Sequence, residues 1–183
     1  ALSSAASDVY KRQYGTNGIP IPDSKPYIVN MLDKDKITAD VTKAKQLADM
    51  VIVLPHWGTE YVYTPDSNQN YWTQLFLSLG VDVVIGTHPH VLEPVEVVSD
   101  TKGHEMLVYY SLGNFVSNQD QKPRMIGGMA KMTLVKDETG CYVKNYNLTP
   151  VITQKLFGKK AITTYKLSDY TESLASGLSL IHI

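Results

Sequence analysis

Short runs of apolar residues along the chain predict the strands of a buried sheet. Each run is apolar almost throughout, which is typical of strands covered on both faces. The runs lie at residues 50–54, 81–85 and 106–111. Each run ends in a turn with polar side chains, and ligands bind at the carboxyl ends of strands in open α/β sheets. We therefore expect a functional site at these three turns.

Two other segments carry apolar residues at the helical spacing of about 3.6 positions. They lie at residues 38–48 and 69–79, and Gly80 is placed to end the second helix. The helix at 69–79 separates the strands at 50–54 and 81–85. This is the order of a βαβ unit, whose strands run parallel.

The second half of the chain follows a different pattern. Residues 129–135 and 142–148 alternate apolar and polar positions, and Asp-Glu-Thr-Gly at 137–140 joins them, so a β-hairpin is predicted. Elsewhere the sequence predicts a loop at 14–23, a short strand at 27–31, a charged turn at 33–36 and a mixed segment at 163–175 that ends in a helix at 168–175. The whole pattern predicts an α/β fold in which βαβ units are followed by a β-hairpin.

The charge balance excludes some classes of partner. With 17 Lys and Arg against 18 Asp and Glu, the net charge is −1, so we expect no nucleic-acid partner. No apolar run reaches the roughly 18 residues that span a bilayer, so membrane attachment is expected only through a missing N-terminal anchor. Cys141 is the single cysteine, which excludes an intrachain disulfide and a thiolate-rich zinc site.

The two ends of the chain differ from the part between them. Residues 3–13 read SSAASDVYKRQ and residues 178–183 read LSLIHI, and both resemble translated sequencing-adapter read-through. We therefore expect residues 1–13 and 178–183 to be non-native. Residues 14–177 are then part of a single domain.

Three of the five histidines directly follow predicted strands. His56 follows the strand at 50–54, and His88 and His90 form a His-Pro-His sequence after the strand at 81–85. Residues two apart in an extended segment project to the same side, and neighbouring strands lie about 4.8 Å apart. All three imidazoles are then within reach of a centre of one or two metal ions, and imidazole with carboxylate suits Zn, Mn or Fe.

The competing interpretation for each histidine is that it is a loop residue with hydrogen bonds and no bound ligand. A lone loop histidine usually has satisfied hydrogen bonds and no ligand, and we keep that interpretation for His104. The shared position of His56, His88 and His90 at strand ends favours metal binding instead. No glycine-rich phosphate loop and no Gly-x-Ser-x-Gly elbow is present, so nucleotide binding and serine nucleophiles have little support.

Other polar and aromatic residues of the three turns have two interpretations each. Glu60 either accepts a hydrogen bond from a ligating imidazole or is a solvated loop acid. Asn114 either faces the site or caps a turn. Trp57 and Tyr61 are predicted to pack rather than to bind substrate. Arg124 is predicted to be a surface residue rather than an anion clamp.

Four segments are together similar to the bacterial capsule-synthesis family called CapA, the poly-γ-glutamate synthesis proteins. In order along the chain they read YGTNGIPIP, ADMVIVLPHWGTEY, VDVVIGTHPHVLEPVE and YYSLGNFVSNQ. The similarity extends from Tyr14 to about Pro150. That family resembles the calcineurin-like metallophosphoesterases, so the resemblance implies a partial metallophosphoesterase-like α/β sandwich. Residues 14–177 are then the C-terminal part of one such domain.

The resemblance also implies a metal centre. His56 matches the family's lone histidine motif, and His88 and His90 match the Gly-x-His-x-His motif. Glu60 and Asn114 fall within signature segments. Two divalent ions, Mn, Fe or Zn, are expected in the full-length protein. An early Asp, a bridging Asp and an Asn-His pair that supplies a ligand and a candidate acid are expected upstream, so the catalytic residues are unassigned and this chain alone is expected to be inactive.

The implied location is the extracellular face of the bacterial cell membrane, and the implied role is in capsule biosynthesis or export. The expected partners are poly-γ-glutamate or another anionic polymer and the membrane subunits of the capsule machinery. Three functions stay open: a metal-dependent hydrolase of the metallophosphoesterase type, a non-catalytic scaffold or polymer-handling subunit, and a γ-glutamyl peptidase or amidase.

Overall fold

The structure, a computed structural model, describes residues 11–12, 24, 30–156 and 161–176. In the described residues the elements are β1 (Lys11–Arg12), α1 (Lys34–Leu47), β2 (Ile52–Val53), β3 (Pro55–His56), α2 (Ser67–Ser78), β4 (Val83–Ile85), β5 (Val95–Ser99), β6 (Glu105–Tyr109), β7 (Ile126–Asp137), β8 (Gly140–Leu156), β9 (Ala161–Lys166) and α3 (Glu172–Ser176). Two 3-10 helices span Lys122–Met125 and Leu167–Asp169.

The central sheet has the strand order β2-β4-β6-β5. Strands β2, β4 and β6 are parallel, and β5 is antiparallel to β6. Strand β3 pairs in parallel with β1, and an isolated parallel bridge joins His56 to Thr87. The carboxyl ends of β3 and β4 therefore lie side by side, and both histidine turns leave the sheet at this edge.

The two longer helices cover one face of the central sheet. Helix α1 starts at the N-cap Asp33, whose side chain accepts a hydrogen bond from the backbone N–H of Lys36 at 2.8 Å. Helix α2 is followed by Gly80 at a φ of +73°, a left-handed conformation that suits glycine. One buried cluster joins apolar side chains of both helices to the sheet: Ile37, Val41, Trp72, Phe76, Val53, Val84 and Val108.

The hairpin of β7 and β8 covers the opposite face. A second buried cluster packs Val83, Leu107 and Tyr109 of the central sheet against side chains of the hairpin. The Tyr109 hydroxyl also donates a hydrogen bond to the carbonyl of Asn147 at 2.9 Å. The described chain thus has three layers, in the order helices, mixed sheet and antiparallel sheet.

A β-bulge interrupts the hairpin. Thr133 pairs with Asn145, but the next residue, Leu134, pairs with Val143, so Lys144 is an extra residue in β8. Strand β9 completes this three-stranded sheet, in which β8 is central.

The predicted fold class, an α/β sandwich of βαβ units followed by a β-hairpin, is confirmed. The helices predicted at 38–48 and 69–79 and the strands in the three apolar runs are present. The charged turn predicted at 33–36 is wrong, because Asp33 caps α1 and the following residues form its first turn. The helix predicted at 168–175 begins later, at Glu172, and residues 161–166 form a strand.

Strand β5 was absent from the sequence prediction. The chain returns from β4 to the parallel strand β6 through this antiparallel strand rather than through a turn alone. The predicted loop at 14–23 and most of the predicted strand at 27–31 lie outside the described residues. The same holds for residues 178–183 and for residues 1–13 apart from β1.

Candidate functional site

The structure brings the side chains of His56 and His88 into direct contact. Their bridge-paired strand ends place Nε2 of His56 2.9 Å from Nδ1 of His88, and the ring centroids lie 4.6 Å apart. The hydroxyl Oγ1 of Thr87 lies 3.3 Å from Nδ1 of His56. Two imidazoles from different turns therefore meet at the carboxyl edge of the sheet.

His90 is adjacent to this pair and contacts both polar residues singled out from the sequence. Its ring centroid lies 6.1 Å from that of His88. Nδ1 of His90 lies 2.8 Å from Oδ1 of Asn114, and Nε2 lies 3.9 Å from Oε1 of Glu60. The five residues predicted as ligands or as their supports are thus neighbours at one edge of the sheet. Their role as metal ligands stays a prediction.

The backbone reaches this arrangement in a way that the sequence did not suggest. The two histidines of the His-Pro-His sequence were expected in an extended segment, but the φ angles are +107° at His88 and +60° at His90. Tyr61 also has a positive φ, +66°, and its N–H donates to the carbonyl of Pro89 at 2.7 Å. Positive φ is uncommon outside glycine and concentrates at functional sites.

Gly86 and Trp57 pack closely together next to the histidine turns. Trp57 is fully buried, as predicted, and its Nε1–H donates to the carbonyl of Tyr110 at 2.9 Å. A Cβ atom at Gly86 would lie 2.0 Å from that carbonyl oxygen and 2.4 Å from Nε1 of Trp57. The turn before His88 therefore requires glycine.

A buried polar network, which sequence reasoning missed, supports both histidine turns. Gln69 is fully buried and donates through Nε2 to Oε2 of Glu93 at 2.6 Å. It forms a capping box with Asp66, whose Oδ2 accepts from the hydroxyl of Thr59 at 2.7 Å. A Cβ at Gly58 would lie 2.7 to 2.9 Å from the Gln69 amide. The turn after His56 and the segment after His90 thus both rest on the N-terminus of α2.

Glu93 carries a shifted pKa within this network. It is 6% exposed, and burial raises its pKa to about 7. The hydrogen bond from Gln69 acts in the opposite direction, and the charge of Asp66 raises the pKa further. Its other oxygen, Oε1, is buried without a hydrogen-bond partner. The spacing Asp-x-x-Gln was a usable sequence signal for the cap, whereas nothing in the sequence marked Glu93.

Tyr61 and Arg124 extend the site on the far side of His90. The Tyr61 ring stacks on His90 with centroids 6.0 Å apart, and Cζ of Arg124 lies 3.4 Å from the centroid of the Tyr61 ring. Tyr61, predicted as a packing residue, therefore packs on the site itself. Arg124, predicted as a surface residue, is half-buried beside it.

The donor chemistry of the site suits a divalent ion, but the described residues do not supply a full ligand set. Two imidazole nitrogens face each other at 2.9 Å, and a carboxylate lies next to the third imidazole. Over the part of the chain that the structure describes, no group of three or more His, Cys, Asp or Glu side chains is arranged to hold a metal ion. If a metal ion binds here, His56, His88 and His90 are the imidazoles that could hold it.

Fold and site together define a class, an α/β protein with a histidine cluster at the carboxyl edge of its sheet. The family model described as "Bacterial capsule synthesis protein PGA_cap" matches residues 2–119. The chain therefore belongs to this family of bacterial capsule synthesis proteins.

Individual relatives agree with the family assignment. The chain is 36% identical over 111 residues to the PGA biosynthesis protein CapA of Bacillus subtilis (strain 168), which is 61% of this chain and 27% of that protein. It is 35% identical over 92 residues to the capsule biosynthesis protein CapA of Bacillus anthracis, which is 48% of this chain and 21% of that protein. The matches thus span about a quarter of the length of these relatives.

Among the solved structures that match part of the chain is one from Plasmodium. It is described as "GAP50 the anchor in the inner membrane complex of Plasmodium". The similarity covers 73% of this chain and 41% of that chain, with 17% sequence identity and a TM-score of 0.30. Among the helices of the described residues, none is long and apolar enough to cross a membrane.

Proposed function

We propose that the full-length protein acts in the synthesis or export of an anionic capsule polymer at the outer face of the cell membrane. We propose further that His56, His88 and His90 form one side of a divalent metal centre with hydrolytic activity. The observation that carries the proposal is the convergence of these three imidazoles, with 2.9 Å between the nearest nitrogens of His56 and His88. The family assignment supports the capsule role.

The residues of this chain have separable roles in the proposed centre. Nε2 of His56 and Nδ1 of His88 lie 2.9 Å apart, so both could bind one ion if it replaced their direct contact. Asn114 fixes the ring of His90 through Nδ1, so that Nε2 faces the carboxylate of Glu60. A bound divalent ion would supply an activated water for hydrolysis.

The test is the metal content of the purified full-length protein. We expect His88→Ala and His90→Ala each to weaken metal binding by more than about tenfold. His104→Ala is the matched control, because the His104 ring contacts the carbonyl of Val81 at 2.8 Å, away from the cluster. The proposal fails if the full-length protein holds no metal after dialysis, or if the control loses as much metal as the two variants.

A non-catalytic scaffold is the second candidate, and one observation favours it. His56 and His88 contact each other directly, so these two ring nitrogens have a hydrogen-bond partner without an ion. Under this alternative, His88→Ala and His90→Ala in the full-length protein leave capsule polymer output unchanged. Under the metal-centre proposal, both variants reduce that output, while His104→Ala does not.

A further inference from the structure

Arg124 is connected to the histidine cluster by two independent routes. The first is aromatic, because its guanidinium lies over the ring of Tyr61, which in turn stacks on His90. The second is through Asn114, whose Nδ2 donates to the carbonyl of Arg124 at 2.8 Å while its Oδ1 contacts the ring of His90. The Asn114 contact therefore fixes the backbone of Arg124 next to His90, and the Tyr61 ring holds its guanidinium.

The guanidinium carries a positive charge that no carboxylate of the described residues neutralises. The ion pairs found there are His90 with Glu60 and Lys136 with Asp49. An arginine that lies flat on an aromatic ring keeps its N–H edge available, and that edge matches the geometry of phosphate and carboxylate groups.

The neighbouring charge defines the side on which an anion can bind. Glu60 lies 3.9 Å from Nε2 of His90 and would repel an anion there. Arg124 lies near His90 because both pack on the ring of Tyr61. An oxyanion next to His90 is therefore attracted by the edge of the guanidinium and repelled by Glu60.

We propose that Arg124, held on Tyr61 beside His90, binds an oxyanion group of the substrate, either a phosphate or a carboxylate. The proposal rests on the proposed function, because it takes the histidine cluster to be the reactive site. It assigns Arg124 to substrate binding and gives the substrate a negative group next to the reacting position.

The experiment is an anion titration of the whole chain after removal of metal with a chelator. Inorganic phosphate and glutarate are the two probes, and the Nε–Hε signal of Arg124 in a ¹H–¹⁵N spectrum is the readout. We expect at least one probe to shift this signal. By isothermal titration calorimetry, which needs no signal from Arg124, Arg124→Gln should weaken binding of that probe by about tenfold or more, and Arg124→Lys should not restore it. Lys131→Gln, an exposed cation on β7, is the control and should bind as the unmodified chain does.

The outcomes separate the two kinds of substrate and the two proposals. Stronger binding of phosphate indicates a phosphoester substrate, and stronger binding of glutarate indicates a polycarboxylate. The proposal is overturned if neither probe shifts the Arg124 signal, or if Lys131→Gln weakens binding as much as Arg124→Gln. A full-length protein that holds no metal, combined with an intact anion response here, would refute the metal centre and leave the anion site standing.

Discussion

Gly86 sets how closely the turn before His88 approaches the neighbouring strand. The space where a Cβ would lie is occupied by the carbonyl oxygen of Tyr110 and by Nε1 of Trp57, which also hydrogen-bond to each other. Neither atom can move without breaking that buried hydrogen bond. A single missing methyl group thus determines where the imidazole of His88 can lie.

We expect Gly86→Ala to lower the free energy of unfolding by about 3 kcal/mol, because the added Cβ meets backbone atoms of a fully packed core. Gly103→Ala is the control. Gly103 has a φ of +87° but nothing within 4 Å of its Cβ position. That variant should cost only about 1 to 2 kcal/mol of backbone strain. Urea unfolding measures both, and equal losses would contradict a steric role for Gly86.

The composition of the site could be predicted from the sequence, but its geometry could not. His56, His88 and His90 stood out because histidines directly follow buried strands. The left-handed backbone of the latter two depends on contacts such as the Tyr61 N–H to Pro89 carbonyl bond, which join residues distant in sequence. Arg124 was predicted to be a surface residue rather than an anion clamp, because only the fold brings its 3-10 helix to Tyr61.

Among the elements, the N-terminus of α2 supports the sheet edge that carries the histidines, and it also starts a helix. Its cap, Asp66, accepts from the backbone of Gln69 at 2.8 Å and from the hydroxyl of Thr59 at 2.7 Å. Thr59 belongs to the turn that follows His56. The same carboxylate therefore stabilises a helix and holds the turn that follows His56.

Comparison of two helix caps separates these roles. Asp66→Ala and Asp33→Ala each remove an aspartate N-cap, and each should cost about 1 kcal/mol in urea unfolding. Only Asp66→Ala should shift the imidazole signals of His56 in a ¹H–¹⁵N spectrum, because only Asp66 bonds to the turn after His56. Identical imidazole shifts in both variants would rule out this supporting role.

The helices and central strands could be predicted because the spacing of their apolar residues determines which face is buried. Strand β5 was missed, although three of its five residues are valines, which favour strands. It is an edge strand with exposed side chains at Glu96 and Val97, so it lacks the continuous burial of the other runs. The first turn of α1 was misread for a related reason, because charged residues suit both a turn and an exposed helix start.

At the scale of the whole molecule, the buried Glu93 couples stability to pH. The pKa of this group is about 7 in the folded protein, compared with an ordinary value of 4.5. Because the folded state favours the neutral form, the stabilisation is complete below pH 4.5 and is lost as the pH rises through 7. Glu93 faces Gln69, Asp66 and Tyr110, and the charge of Asp66 raises its pKa in the same direction as burial does.

We expect Glu93→Gln to reduce this loss, because glutamine stays neutral and keeps an oxygen for the Gln69 amide. In the unmodified chain, the free energy of unfolding should fall by on the order of 2 kcal/mol between pH 5 and pH 8. The variant should show a clearly smaller fall across the same range. Chemical denaturation at several pH values measures both, and parallel pH profiles would show that Glu93 is not responsible.

The bulge at Lys144 affects how this protein can vary in length. Because Lys144 is the extra residue between two matched stretches of β8, its deletion leaves the inward and outward positions on either side as they are. Val143 would still face the hairpin's buried side, and the distant histidines would be undisturbed. A chain one residue shorter at this point of the hairpin is therefore expected to keep the same fold.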